Sequence, residues 1–522
     1  MSNILQKITT ARSFIARWID ATAMYRMVTI SLTFLVLVSL IMGLTGDIAY
    51  SVERQLLSLG VAISAALISD YVFGKLFKIA VNFESALITA LILHFLLIPP
   101  TFGRVESVTI LALTVFLAMA SKFVFAWRAQ HIVNPAAVGL VAMYFLYAVL
   151  PFPGTFLSSW WIGNPVMFIP LLIAGTVVVV KVRKWTPVIA FLVTAFLVFL
   201  FEEWRFSGDV FGNAATFWLS GPSLFLAFFM LTEPFTMPPN KRLQVGYGVL
   251  IGFLSQTTFL KPLLTMTPEL ALVLGNLAFY PTTLKRKLIV PLTAVREVAK
   301  DTFEFAFAKP ANLRFRAGQY LEWMLPHKNS DNRGIRRYFT IASAPADPEL
   351  KLTVRFGERV SSYKQALRAM KPGDTIVASQ LAGDFVLPDN VRAKLALVAG
   401  GIGITPFMSQ IGHLEHAKVD RPDTVLFYCN NTAADIAYQD RLQAASRTLP
   451  LRIVHILAKE QLPQYEYGFL TEDIIRRQTP DFLERTWYIS GPPGMVNANT
   501  SLLTSLGVKR YQIVRDFFPG LA

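Results

Sequence analysis

Between residues 28 and 281 the chain is a succession of near-continuous apolar stretches. Each is close to the ~20 residues a helix needs to cross the ~30 Å hydrocarbon core of a bilayer. Nothing else in the sequence restricts the fold as strongly, because lipid leaves every backbone N–H and C=O to be satisfied within the chain, and helices do this locally. Windows fall near 28–49, 55–77, 82–98, 106–126, 134–152, 164–181, 185–202, 214–232, 244–260 and 267–281. The expected membrane domain has about ten spans. A mean hydropathy of +0.47 with 53% hydrophobic residues is too apolar for a soluble enzyme of 522 residues.

The basic residues orient these spans. Loops on the N-terminal side hold Lys75, Lys78, Lys122, Arg128, Lys181, Arg183, Lys184, Lys241, Arg242, Lys285, Arg286 and Lys287, and the opposite loops only Arg54, Arg104, Arg205 and Lys261. The positive-inside rule then puts both termini in the cytoplasm and the protein in the cell inner (plasma) membrane, with Trp160 and Trp161 suited to the far interface. This asymmetry accounts for part of the +15 net charge, so no nucleic-acid partner is invoked. Ile4, Ile8, Ile15, Trp18 and Ile19 share a helical face, which suggests an interfacial amphipathic segment before the first span. No cleavable signal peptide is expected. The single cysteine, Cys429, excludes an intrachain disulfide or an iron–sulfur cluster held by four cysteines of this chain.

Two segments run as apolar helices into a Pro-Pro stop, ESALITALILHFLLIPP (84–100) and PSLFLAFFMLTEPFTMPP (222–239). They are the third and eighth spans and so cross in opposite directions, the arrangement of an inverted repeat whose interrupted helices build a site. The second admits Thr232, Glu233 and Thr236 at its cytoplasmic end, which makes them candidates for contact with a flavin or quinone. Asp70, His94 and Glu84 are the other ionisable residues at membrane depth or at a helix mouth; each faces a cavity, a buried partner or the headgroups.

HIVNPAAVGL (131–140), SGPSLFLAFFMLTEPFTMPPN (220–240) and PELALVLGNLAFYP (268–281) resemble, in order, the multispan flavin-carrying membrane subunits of Rnf complexes and of sodium-pumping NADH:quinone oxidoreductases. The resemblance implies flavin-based electron transfer in the membrane. Where that family carries its flavin-bearing Ser-Gly-Ala-Thr, this chain has PFPGTFLSSWWIGNP. The departure argues against covalent attachment and leaves a noncovalent FMN or riboflavin, or a quinone, with Trp160 and Trp161 either stacking partners or an aromatic belt.

Beyond residue 284 the solvent changes. KLIVPLTAVREV, FEFAFA and LEWMLP alternate with period two, as in antiparallel β structure. RRYFTIASAP (336–345), KLTVRFGERVSSYKQAL (351–367) and PGDTIVASQLAGDFVLP (372–388) resemble the FAD-binding barrel of ferredoxin–NADP reductases. The resemblance implies that Arg337, Ser361 and Ser362 bind the FAD pyrophosphate, that Phe339 stacks on the isoalloxazine and Thr340 bonds its edge, and that Tyr338 belongs to the same site. LALVAGGIGITPFMSQI (395–411) is an apolar strand, a Gly-rich turn and a helix start, where Gly400, Gly401 and Gly403 let backbone approach a pyrophosphate, with Thr405 and Pro406 opening the helix. With TVLFYCNN (424–431) and TWYISGPPGMV (486–496) it resembles the nicotinamide domain of those reductases. That implies Ser490, in the place of the family's cysteine, beside the nicotinamide, with Gly491 and Pro492 in the same turn and Asp516 with Phe517 or Phe518 closing over the flavin. The absence of a basic cluster after LFYCNN favours NADH, with Arg441 the one residue placed to reach a 2′-phosphate of NADPH.

The expected organisation is an amphipathic segment over 1–27, a ten-span domain over 28–283, an FAD barrel over 284–390 and an NAD(P)-binding α/β domain over 391–522. Electrons would pass from NAD(P)H through FAD into the membrane domain and on to a quinone or an extracytoplasmic flavoprotein. Three alternatives stand beside this. A transporter or ion pump driven by the reductase would use Asp70 and Glu233 as ion-pathway residues. A two-haem reductase would need paired histidines, of which the membrane half offers only His94 and His131. A tethered soluble diaphorase would need neither.

Overall fold

The structure, a computed structural model, describes residues 18–19, 22–77, 83–127, 130–150, 158–208, 210, 213–259, 265–282, 287–331, 333–357, 360–417 and 423–517. The chain divides into two compact units, Met1–Lys287 and Leu288–Ala522.

The first unit is helical. Its helices are α1 (Met24–Thr45), α2 (Val52–Phe77), α3 (Phe83–Leu96), α4 (Val105–Val124), α5 (Pro135–Val149), α6 (Phe168–Val182), α7 (Trp185–Phe206), α8 (Ala214–Leu219), α9 (Lys241–Gln256) and α10 (Pro268–Phe279). Five helical stretches among the described residues, α1, α2, α4, Pro165–Val182 and α7, are long and apolar enough to cross a membrane. The others are shorter. The 14 residues of α3 and 12 of α10 rise about 21 and 18 Å at 1.5 Å per residue, less than the hydrocarbon thickness. The window at 214–232 is not one helix either. It breaks after α8, restarts at Ser223–Phe225 and continues as a π turn over Leu226–Met230. Starts are written in the sequence: the Asn134 side chain accepts from the Ala137 amide, Asn240 from Leu243 and Thr267 from Leu270, and Pro135 and Pro268 open their helices. Small residues set the packing: a Cβ on Gly248 would lie 2.5 Å from Pro187 O, and on Gly252 2.7 Å from Phe191 O, so α9 meets α7 backbone to backbone.

The amphipathic segment proposed for 4–19 lies outside the described residues except at Trp18 and Ile19. Trp160 and Trp161 correct an expectation. Both are buried, at 6% and 8% exposure, so neither forms a belt. Their indole N–H groups point inward, Trp160 to Glu269 Oε1 at 2.7 Å and Trp161 to His94 O at 2.7 Å, since a buried indole needs an acceptor.

The second unit holds two sheets. An antiparallel sheet is built from β1 (Leu288–Ala299), β2 (Thr302–Ala308), β3 (Tyr320–Met324), β4 (Arg336–Thr340), β5 (Glu349–Arg355) and β6 (Thr375–Ala382), in the order β4-β3-β6-β1-β2-β5. A seven-residue helix, α11 (Ser362–Arg368), precedes β6. The first half of β1 alternates buried and exposed residues, as period two requires. The other sheet is parallel, from β7 (Leu395–Gly400), β8 (Thr424–Asn430), β9 (Leu451–Leu457), β10 (Glu466–Tyr467), β11 (Thr486–Gly491) and β12 (Ile513–Phe517), in the order β10-β9-β8-β7-β11-β12. Every residue of β7 is buried, as expected of a central parallel strand. Strand order reverses between β7 and β11, the switch point at which such sheets bind ligands outside their carboxyl ends. Helix α12 (Thr405–Ala417) ties this sheet to the antiparallel one: Ser409 Oγ donates to Ser343 O and Gln410 Nε2 to Phe385 O.

Candidate functional site

The antiparallel sheet carries a cationic face. Arg337 on β4 donates through Nη1 to the carbonyls of Arg333, Gly334 and Arg336 at 2.7–2.9 Å, and through Nη2 to Asp331 Oδ1 at 3.2 Å. Its guanidinium lies over the Tyr363 ring, 5.1 Å from the centroid, and the Phe339 ring is 6.0 Å from the same ring. Among the described residues Nε donates to nothing, so the Nε edge stays open to a ligand. Lys364 Nζ donates to Arg355 O at 2.6 Å. Burial, then the charges of Arg333, Arg337 and Arg355, push the Lys364 ammonium below its ordinary range. Burial likewise lowers Arg337 against the opposing charge of Asp331. For Asp331 burial acts upward, but the Arg333 amide, the Arg337 charge and the Ser362 bonds outweigh it and hold the carboxyl below the usual range. Mutually repelling cations gathered around one acid suit an anion such as a diphosphate.

At the switch point the Gly401–Ile404 turn that follows β7 packs directly on the end of β11. A Cβ on Gly403 would lie 2.3 Å from Ser490 O, a backbone atom, so glycine alone fits there; one on Gly400 would lie 2.3 Å from Met495 Sδ, which the flexible methionine would have to vacate. Gly401 takes a φ of +51°. Ser490 is fully buried and its Oγ has no partner among the described residues, which marks a place for a ligand's hydrogen-bonding group. Asp516 on β12 is registered opposite Ser490.

In the first unit a polar staple joins the broken segment to α5 and α10. Glu233 Oε1 lies 2.6 Å from His131 Nε2, and Asn134 Nδ2 donates to Glu233 Oε2 at 2.9 Å. The Asn134 amide donates to Asn276 Oδ1 at 2.9 Å, and Asn276 Nδ2 bonds Tyr247 Oη at 2.6 Å. His94 belongs to another cluster, 2.9 Å from Ser58 Oγ and edge-on to Trp161.

Comparison with known proteins bears on both units. Residues 397–500 match the oxidoreductase NAD-binding domain, and residues 152–279 match the NQR2, RnfD, RnfE family. The reductase component of an aromatic O-demethylase from Amycolatopsis sp. is 27% identical over 45% of this chain and 70% of its own. A flavohemoprotein of Xylella fastidiosa is 26% identical over 39% of this chain; the match spans only 50% of that relative. The solved structure of an Amycolatopsis cytochrome P450 reductase is 27% identical over 45% of this chain and 70% of its own, with a TM-score of 0.40. The second unit is similar to ferredoxin-reductase-type modules. It is an NAD(P)H-dependent oxidoreductase of the FAD-containing class.

Within the reductase module the residues expected at the flavin fall unevenly. Arg337, Phe339 and Tyr363 share one face of β4. Tyr338 leans the other way: its hydroxyl bonds Glu322 Oε2 and Gln380 Oε1, both at 3.1 Å. Thr340 is buried at the strand end. Ser361 Oγ caps α11 by accepting from Lys364 N, and Ser362 Oγ accepts from Asp331 N and meets His327 Nε2. Thr405 Oγ1 donates to Ile402 O, and Pro406 lies buried in the first turn of α12. Gly491 has a φ of +156° and Pro492 precedes α13 (Pro493–Ser505). The Phe517 side chain and all of Phe518 lie outside the described residues. Arg441 is held by Glu415 through both guanidinium nitrogens, so the cation nominated for a 2′-phosphate is already paired. In the membrane unit Thr232 Oγ1 donates to Phe228 O and Thr236 Oγ1 to Glu233 O, which turns these hydroxyls onto their own backbone. Asp331, Lys364 and Asn134 were not nominated from the sequence, and His131 was named only for the two-haem alternative. Only Asn134 carried a local signal, the Asn-Pro start of a helix.

Proposed function

We propose that the protein is a membrane-bound flavoprotein that takes hydride from NADH, binds FAD on its antiparallel sheet and passes electrons into its membrane unit. The observation that carries this is the cationic face at β4, where Arg337 keeps one guanidinium edge free beside Phe339 and Lys364 of α11 adds a half-buried charge. FAD supplies the conversion of a two-electron hydride into single electrons. The residues of the chain do the rest: Arg337 and Lys364 hold the diphosphate, Phe339 faces the ring system, the glycines of the β7 turn admit the dinucleotide backbone and Ser490 offers a hydroxyl at the nicotinamide.

NADH is the preferred donor. Arg441 is neutralised by Glu415, and at the carboxyl end of β8 the Glu460 carboxylate accepts from Ala433 N and Asp435 from Thr432, so a 2′-phosphate would meet acids. The NADH preference in kcat/KM is expected to exceed about tenfold, the size of one unmet charge-assisted contact, and Glu460→Gln is expected to narrow it.

The membrane unit is proposed as a ten-segment inverted repeat in the inner membrane with both termini cytoplasmic. Two staples support the repeat. The end of α3 is met by Ser159 N and Trp160 N at Leu96 O, and Trp160 reaches Glu269 at the start of α10. The end of the second broken segment is met by His131 and Asn134 at the start of α5. Electrons enter near Glu233 and reach a noncovalent FMN or riboflavin, or a quinone, on the way to a quinone or an extracytoplasmic flavoprotein.

The test is FAD content and turnover of the full-length chain. One dissociable FAD per chain, lost in Arg337→Ala together with NADH oxidation, supports the reading; a chain that binds no FAD overturns it.

A further inference from the structure

The loop before β4 carries a carboxylate, Asp331, whose contacts exceed what an exposed turn requires. Asp331 Oδ1 accepts from Arg333 N at 2.9 Å and from Arg337 Nη2 at 3.2 Å, while Oδ2 accepts from Ser362 N at 3.2 Å. Its own amide donates to Ser362 Oγ at 2.9 Å, and His327 Nε2 lies 3.0 Å from the same oxygen. One acid thus ties Arg333 and Arg337, which follow it in the chain, to the segment entering α11, 31 residues on.

We propose that Asp331 is a positioning residue for the diphosphate of FAD, fixing the Arg337 guanidinium so that its open edge faces the ligand. The inference rests on the reading that FAD binds at Arg337. Three carbonyls saturate Nη1, and Asp331 takes one proton of Nη2. The remaining Nη2 proton and the Nε proton lie along one edge, the pair that a phosphate accepts side by side. The Arg337 side chain is only 15% exposed, so a rotation away from this pose would leave it buried among the other cations of the face. Without the acid, Arg337 is repelled by Arg333 and Lys364 and loses the bond that sets its plane. Asp331 itself need not touch FAD. Its tie to Ser362 keeps Arg337 at a fixed distance from the segment that carries Lys364.

The arrangement separates ligands by chemistry. FAD carries the diphosphate, whereas riboflavin presents the same ring system without it. The experiment uses the full-length chain, stripped of flavin, titrated with FAD and then with riboflavin as a competitor of the bound FAD, so that only riboflavin at the FAD site is read, in wild type, Asp331→Asn, Arg337→Ala and the double variant. Asp331→Asn is expected to raise the Kd for FAD about tenfold, the worth of one bond between charged groups, with riboflavin affinity unchanged and no further loss when added to Arg337→Ala. Unchanged or tighter FAD binding in Asp331→Asn, with Arg337→Ala still weak, overturns the proposal and makes the acid a competitor or a bystander. Equal losses for FAD and riboflavin also overturn it, because they report general loosening of the loop. If Arg337→Ala itself leaves FAD binding intact, the FAD site lies elsewhere, and the reading on which the proposal rests fails with it.

Discussion

Ser490, proposed to stand at the nicotinamide, is a side chain costly to the fold. Its hydroxyl is fully buried and unpartnered among the described residues, a state that costs about 1–3 kcal/mol. Ser490→Ala is therefore expected to melt no lower than wild type while its kcat/KM for NADH falls, measured by thermal unfolding and steady-state turnover. Acid makes a second prediction at this scale. Asp331 and Asp481 have carboxyls held below their ordinary range, Asp481 because its bonds to Arg485 and Lys394 outweigh the upward push of burial. A lowered folded value means the contribution is present above the unfolded carboxylate range and is lost as pH falls through the folded one. Stability of the module should drop below about pH 4, and Asp331→Asn or Asp481→Asn should flatten that drop in urea titrations run from neutral pH downward. Arg337 and Ser490 could be nominated from the sequence because they sit inside RRYFT and YISGPP. Asp331 could not be: DNRG reads as a polar turn, and its partner Ser362 is 31 residues away.

Elements show where periodicity suffices and where it does not. The antiparallel and parallel sheets followed from alternation and from fully apolar strands, and the Gly-rich turn fell at the carboxyl end of β7. The contact at that turn is severe enough to predict from. Gly403→Ala would put a Cβ 2.3 Å from Ser490 O, and forcing the turn after β7 off the end of β11 should cost about 1–3 kcal/mol and weaken NADH binding, read as a raised KM. The membrane helices are less legible. Apolar windows report where lipid-compatible sequence lies, yet α3, α10 and the broken 223–230 segment are short because neighbouring chain satisfies their ends. The residues that provide that satisfaction lie far off in sequence: Glu233 is 102 residues from His131 and 99 from Asn134. Glu233→Ala strips both of a buried partner and should destabilise the membrane unit by about 1–3 kcal/mol per lost bond, while reduction of ferricyanide by NADH, which needs only the reductase module, stays near wild type. Glu233→Gln keeps much of the staple and should lie between the two.

At the scale of the whole molecule, a unit similar to ferredoxin-type reductases and a unit matching the NQR2, RnfD, RnfE family stand on one chain. The haem alternative loses ground on geometry: His94 and His131, the only membrane-half histidines, sit in different clusters, one against Ser58 and the other against Glu233. A tethered diaphorase and an electron-transfer enzyme both oxidise NADH, and they differ in whether the electrons enter lipid. The most direct measurement is anaerobic reduction of a long-chain quinone confined to the bilayer of vesicles holding the full-length chain. The account predicts one quinol formed per NADH oxidised, abolished in Arg337→Ala. Ferricyanide reduced at full rate while the lipid-confined quinone stays oxidised would contradict it.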